Sequence, residues 1–457
     1  MTTSRAIDRA DIDALRRAVR GAVHRPSDPG YAVEGFNVAA TWKPWAVVDV
    51  AGADDVAAVV NFAAANGMTV APFATGHGGI PIGSNSILVR TNGLDVCEVD
   101  PATRTARLGA GVRWQTVIDA AAPHGLAPLC GSSPAVSVGG FLSGGGIGPL
   151  VRTVGASCDH VRSITAVTGT GVVKQATAEV NPELFWGLRG GKGTLGIITE
   201  VVIDLLPISE IYGGAIYFDG ADAQRVLRVW RDWTEGLPRE ANTSLAVLNL
   251  PDMPGVPPML AGRQTVAVRF AGVGDFGAAA DLVAPIRAVA TPILDTVGPM
   301  PYAAIAAIHA DPVDPMPAHE TSTLLRALPD DALAALLEVV GPGAPPFLTI
   351  TELRLLGGAF AEEPPVRSAL CHRHAAFTFH TVGVLAPPIA EHVVDAGARA
   401  SQAIAPWSLG TTLPNFIAHH ELVDIRTSYD DDTYAWLSAL GAQLDPHGVL
   451  DVGHVVR

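Results

Sequence analysis

Residues 73–79 read FATGHGG, which places His77 between glycines directly after the apolar run MTVAPF. A neutral imidazole nitrogen is a fair nucleophile near neutral pH. Bare glycine backbone lets such a ring approach a bound group closely. Taken alone, the pattern is that of a surface turn, but a second segment bears on the choice. CGSSPAVSVGGFLSGGGIG, residues 130–148, holds seven glycines and four serines in nineteen residues. Glycine brings backbone N–H groups up to a ligand and serine adds hydroxyls, a combination that suits a pyrophosphate. Pro134, Val136, Val138, Phe141 and Leu142 are anchors that a flexible linker lacks. Neither GxGxxG between a strand and a helix nor GxxxxGK[ST] is present, so the composition of a phosphate cradle comes without either common nucleotide fingerprint.

Elements must hold these loops. WAVVDVAGADDVAAVVNFAAANGMTVAPF reads as strand, turn, helix, strand, with Asp54 and Asp55 suited to a helix start and Asn66-Gly67 to its end. SILVR, DVCEVD and TARLGAG are short β-like runs, and a helix is expected over about 114–124. RSITAVTGTGVVKQA reads as a hairpin, NPELFWGLRGG as a helix capped by Asn181 with Pro182 at its first position, and LGIITEVVIDLLP as a long strand. The texture changes after Pro207. YGGAIYF starts a strand, a helix follows at about 221–236, and TITELRLLGG and AAFTFHTVGVL read as strands of one sheet. Pro-rich PDMPGVPPM, DPVDPMP and GPGAPP are connections, and DDDTYAWLSALGAQLDP is a helix near the end. The mixture is α+β.

The chain has 457 residues, too many for one hydrophobic core, so two or three domains are expected. Apolar residues make up 48% and charged residues 16%, which is globular. A net charge of −15 argues against nucleic acid and anionic membrane surfaces as partners. Cys97, Cys130, Cys158 and Cys371 are scattered without CxxC spacing, so neither a disulfide framework nor a metal site is expected. The opening residues are charged and lack an apolar h-region, no run is long enough to span a bilayer, and a cytoplasmic protein is expected.

The order TGHGG, then GLAPLCGSSPAVSVGGFLSGGG, then LFWGLRGGKGTLGIITE resembles the FAD-linked oxidases of the vanillyl-alcohol-oxidase fold, and among them the berberine-bridge-enzyme-like group. The resemblance is dense over about residues 40–205 and resumes at TELRLLGG and from PNF to LDPHGVL. It implies a bipartite FAD-binding domain, residues 1–206 with a returning segment 407–457, and an inserted α+β substrate domain, residues 207–406, whose antiparallel sheet covers the flavin. It implies that Thr75, Gly76, Gly78 and Gly79 of the first loop line the cofactor. Ser132, Ser133, Val138, Gly139, Gly140, Ser143 and Gly144 of the second loop do the same, together with Gly193, Ile197 and Asn415. It also implies a covalent bond from His77 to the flavin 8α-methyl carbon, hydride transfer from an alcohol or C–H substrate, and reoxidation by oxygen or another acceptor. The apolar composition points to a hydrophobic or aromatic small molecule, such as a secondary metabolite.

The sequence departs from that pattern twice. Many relatives carry a second tether, a cysteine in Cys-Pro-Thr-Val; Ser133 stands in its place, Cys130 lies three residues upstream, and attachment through His77 alone is expected. A Tyr-x-Asn-Tyr element supplies the usual base; here the stretch is LPNF, so Asn415 matches while Leu413 and Phe416 replace both tyrosines. The base must be sought elsewhere. Alternation puts Ala376, Thr378 and His380 on one strand face and Phe377 and Phe379 on the other, and Glu352 shares a face with Arg354. His380 is the candidate base, with Glu352 and Arg354 orienting substrate. His419, His420, Tyr429 and Tyr434 are weaker candidates. Loss of both tyrosines leaves open an oxygenating or redox-neutral reaction on a polyketide-like substrate, or an FAD-binding protein without turnover.

Overall fold

Runs rich in Val, Ile and Thr, bounded by Gly, Asn and Asp, become the strands of three sheets. The computed structural model describes residues 11–417 and 425–457. Ala46–Asp49, Ser86–Arg90 and Thr69–Phe73 lie parallel, with Val23–His24 antiparallel at one side. Helix Ala53–Asn66 makes the crossover and ends on Gly67, whose φ of 64° lets its N–H reach the Ala63 and Ala64 carbonyls. Asp54 stays exposed at the helix start. Asp55 turns away from the helix: its carboxylate accepts the N–H groups of Arg20, Gly21 and Ala51 at 2.8, 3.0 and 2.9 Å. The opening helix is Ile12–Ala18.

A second, antiparallel sheet runs Cys97–Asp100, Thr105–Gly109, Ile197–Asp204, Val161–Val167, Val173–Ala176, the last two forming the expected hairpin. One apolar core joins both sheets. Residues near the C-terminus complete it. The Val70 N–H donates to the Val449 carbonyl at 2.7 Å along the edge strand Thr69–Phe73, and the Val456 N–H donates to Thr194 Oγ1 at 3.0 Å. Val449, Leu450 and Val456 are buried in the same core.

The third sheet is antiparallel and eight-stranded. Its central strands run Glu210–Asp219, Gln264–Gly272, Ala241–Asn249, Ile350–Leu355, Phe377–Val384, Ala318–Leu325. Period-two alternation divides its faces. Val266, Val268, Phe270, Leu353, Leu355, Phe377 and Phe379 pack with helices Ala223–Thr234, Phe276–Arg287, Asp330–Val340 and Ala390–Ile404. Ala376, just before its strand, packs with this apolar side as well, not with Thr378 and His380. Arg269, Glu352, Arg354 and His380 point the other way.

Arg152 ties this sheet to the glycine-rich half. It is 8% exposed; its guanidinium donates to the carbonyls of Ala241, Leu356 and Leu237 at 2.9, 2.6 and 3.0 Å, and its own N–H reaches Asn242 Oδ1 at 2.7 Å. Arg152→Ala should therefore leave several buried carbonyls without donors and lower stability by roughly 2–3 kcal/mol. A guanidinium chloride midpoint unchanged from the native protein would show that water replaces the clamp.

Candidate active site

A cavity of about 440 Å³ lies between the glycine loops and the inner face of the large sheet. Its floor comes from Phe73–Gly79, Gly131–Ser133, Gly139–Phe141, Ser143 and Lys192–Gly193, its end from Leu450, Val452, His454 and Val455, and its roof from Arg269, Glu320, Glu352, Arg354 and His380.

The strand Thr69–Phe73 delivers the first loop. Gly76 has φ 66°, and a Cβ there would lie 2.5 Å from Gly35 Cα, so the tight turn needs glycine. The carbonyls of Thr75 and Gly76 accept the Phe36 and Asn37 N–H groups at 2.9 and 3.4 Å, which fixes the loop from behind. The amides of Gly76, Gly78 and Gly79 find no acceptor among the described residues. The His77 ring stacks on Phe36 with centroids 4.2 Å apart and planes 7° from parallel, and Nδ1 lies 2.9 Å from Thr75 Oγ1.

The second loop closes as a short helix, Val138–Ser143, whose Gly139 lies so close to Ala110 that a Cβ would sit 2.7 Å from the alanine methyl. Ser132, Ser133, Gly139, Gly140 and Ser143 border the cavity, as do Gly193 and Ile197. Two expected members do not. Val138 is fully buried in the core, and its N–H is spent on the Val112 carbonyl at 2.8 Å. Gly144 turns behind Asn415 and Lys192, its smallness leaving room for them: a Cβ would fall 2.1 Å from Asn415 Oδ1. The Ser133 hydroxyl is buried without a hydrogen-bond partner among the described residues.

Asn415 bridges the loops. Its amide donates to the Phe141 carbonyl at 2.8 Å and its oxygen accepts from Lys192 Nζ at 2.6 Å. Burial brings the Lys192 ammonium down to about 8. Between that value and the ordinary lysine value the unfolded chain binds the extra proton, so stability rises with pH there. Measured against Lys192→Met, the native protein should gain stability from pH 8 towards pH 10; a constant difference would show that Lys192 is not held in this way.

On the roof, His380 Nε2 lies 3.4 Å from Glu320 Oε2, and the Phe416 ring stands edge-on to the imidazole at 5.5 Å. Glu352 faces His380 directly across the strands, and its oxygens are engaged by neighbouring side chains. Oε1 accepts from Arg269 Nη1 at 2.6 Å and Ser244 Oγ at 2.9 Å, and Oε2 from Arg354 Nε at 2.7 Å. Burial works to raise the Glu352 pKa, but Arg354, Arg269 and His309 outweigh it and hold the carboxyl well below its usual range. Glu352 is thus a permanent anion that positions Arg354, and not a base.

The remaining candidates separate cleanly. Leu413 is buried in an apolar cluster. Cys130 is fully buried behind the cavity wall, 3.8 Å from the Tyr302 hydroxyl, with its thiol pushed up to about 11 by burial. Tyr429 and Tyr434 donate to the Gly190 and Arg457 carbonyls, outside the cavity. His419 and His420 lie outside the described residues. Among the described residues, no group of three His, Cys, Asp or Glu side chains is placed to hold a metal, and no helix is long and apolar enough to cross a membrane.

Sequence reasoning missed Lys192, Glu320 and Arg269. Lys192 interrupts the glycines of RGGKGTLG at a backbone φ of 56°, where glycine is expected, and Arg269 is a lone charge in the apolar strand QTVAVRFAG. Both irregularities were readable.

Glycine amides without acceptors, a buried serine hydroxyl without a partner and a cavity bordered by both loops fit a dinucleotide-sized cofactor. Residues 44–177 match the family of the FAD binding domain. These residues form an FAD-binding domain, and the fold of the chain is of the vanillyl-alcohol-oxidase type. The fold is that of 6-hydroxy-D-nicotine oxidase from Arthrobacter nicotinovorans: TM-score 0.84 at 22% identity, covering 96% of this chain and 98% of that one. A berberine-bridge-enzyme-like protein of Physcomitrella patens gives TM-score 0.84 at 18% identity, with 98% of each chain covered. In sequence, the chain is 32% identical over 181 residues to an FAD-dependent monooxygenase of Aspergillus calidoustus, 38% of this chain and 34% of that protein. It is 31% identical over 196 residues to the (R)-6-hydroxynicotine oxidase of Paenarthrobacter nicotinovorans, 41% of this chain and 42% of that protein. The matched stretch thus spans less than half the length of these curated relatives.

Proposed function

We propose that the protein is an FAD-dependent oxidoreductase in which residues 1–206 and 407–457 hold the flavin and residues 207–406 present a small substrate to it. When bound, FAD supplies a two-electron acceptor for a hydride leaving a substrate carbon, and oxygen or another acceptor takes the electrons on. His77 would hold the cofactor covalently and alone: Ser133 stands where relatives carry a cysteine, and the Cys130 thiol is buried away from the cavity. His380 takes the substrate proton, with Glu320 beside it to stabilise the imidazolium. Arg354, locked by Glu352, orients the substrate, while Phe416, Ile350 and Val382 keep water from the reacting carbon. The lining favours a hydrophobic or aromatic alcohol or C–H substrate. Scattered, unpaired thiols favour a cytoplasmic setting.

The observation that carries this reading is that His77 and His380 border one cavity, from opposite walls. Purified protein should be yellow, should bleach when a member of an alcohol and phenol panel is added anaerobically, and should recover its colour in air. A flavin that no member bleaches would leave a cofactor-retaining binding protein; a colourless protein would remove the flavin reading. Oxygenation is the second reading, favoured by the likeness to the Aspergillus calidoustus monooxygenase and by the loss of both tyrosines. Oxygen-18 from labelled dioxygen would then appear in the product.

A further inference from the structure

The roof of the cavity carries more cationic donors than the protein itself uses. Arg269 is 3% exposed; it gives Nη1 to Glu352, Nη2 to the His309 carbonyl at 3.4 Å, and its Nε is buried without an acceptor among the described residues. Arg354 gives Nε to the same glutamate and makes only a long contact, 3.4 Å, from Nη2 to Ser132 Oγ. One carboxylate therefore accepts hydrogen bonds from both guanidiniums, which between them have ten N–H donors in rigid forks. His309, the other titratable group against Glu352, is held towards its neutral form by burial and by Arg269. Two further carboxylates border the cavity. Glu320 faces His380, and Asp311 acts on Arg354 through its charge alone, with no hydrogen bond to either guanidinium among the described residues, which leaves the N–H donors of the forks unfilled. A buried guanidinium with spare donors is stabilised by an acceptor, and a charged one serves best. The Phe416 ring lies 5.8 Å from the Arg354 guanidinium carbon, so an apolar or aromatic surface adjoins the spare donors.

We propose that the cavity recognises its substrate through an anionic oxygen, a carboxylate or a phenolate or enolate, seated on Arg354 with its apolar or aromatic body against Phe416. The inference rests on the cavity being the substrate site proposed above, and it adds the chemical class. Ser132 and Glu352 fix the direction of the Arg354 fork, one from each wall, so the acidic group of the substrate sets which carbon lies near His380.

Calorimetry on the holoprotein with benzoate, 4-nitrophenolate and benzyl alcohol tests this. Both anions should bind at least about tenfold more tightly than the neutral alcohol. Arg354→Lys keeps a charge for Glu352 but loses the fork, and should weaken the anions by roughly ten- to a hundredfold, far more than it weakens benzyl alcohol. Arg354→Gln should do the same if it folds; Arg354→Lys carries the test if it does not. A preference for benzoate assigns a carboxylate, one for nitrophenolate a phenolate or enolate. Equal binding of neutral and anionic probes, or full anion affinity in Arg354→Lys, overturns the proposal. Flavin content is read separately, so a colourless protein that still prefers anions sinks the oxidoreductase reading alone.

Discussion

Replacing Glu352 with leucine should destabilise the protein by about 3–5 kcal/mol. The carboxylate is 2% exposed and lies within 2.7 Å of a nitrogen on each of two guanidiniums. Its removal strands two buried cations side by side and leaves the Ser244 hydroxyl without its acceptor. Glu352→Gln keeps the shape but turns N–H groups towards guanidinium donors, so it should fall between leucine and the native residue. The triple variant Glu352→Leu, Arg269→Met, Arg354→Met should recover most of the loss, because replacing a whole buried ion cluster by apolar side chains is often neutral or better. Such recovery would separate stability from purpose: the cluster would be dispensable for folding and kept for what it does to a ligand. Urea denaturation of the single variant within about 1 kcal/mol of native would mean that water enters and screens the arginines.

His77→Ala should abolish covalently held flavin altogether. Its ring is already fixed by the Phe36 stack and the Thr75 hydroxyl, so little rotational freedom is lost when a bond forms. No substitute nucleophile is placed to take over. Ser133 offers only a hydroxyl, and the Cys130 thiol lies behind the wall with its pKa at about 11, almost all protonated at neutral pH. After acid precipitation, flavin fluorescence should stay with the native protein and pass wholly to the supernatant for the variant. The variant should still bind FAD reversibly, since the amides of Gly76, Gly78 and Gly79 are untouched. Flavin released from the native protein would defeat the tether, and flavin retained by the variant would require a second one.

How far the sequence could be read depended on the range of the interaction. Loops that hold backbone against a ligand are written in glycine, and FATGHGG and the serine-glycine run stood out without any structure. Alternation placed His380 and Arg354 on the cavity face because the period of a strand is local. Val138 defeated the same reasoning: inside a glycine-rich helical turn, one residue faces the cofactor cavity and the next faces Val112, and composition does not say which. The setting of Glu352 was out of reach because it depends on Arg269, 83 positions away, and Arg269 becomes its neighbour only through the pairing of three strands. Lys192 and Asn415, 223 positions apart, met for the same reason out of sight of any motif.

Val456 seals against Thr194 from 262 positions further along the chain. A ribosome adding about 5–20 residues per second needs on the order of ten to fifty seconds to make that interval. Through it the edge strand Thr69–Phe73 waits without Val449, an apolar ribbon open to pairing with other nascent chains. The large sheet, made in between, can fold during that wait. Closing of the core behind the glycine loops is thus postponed until that late segment has been made.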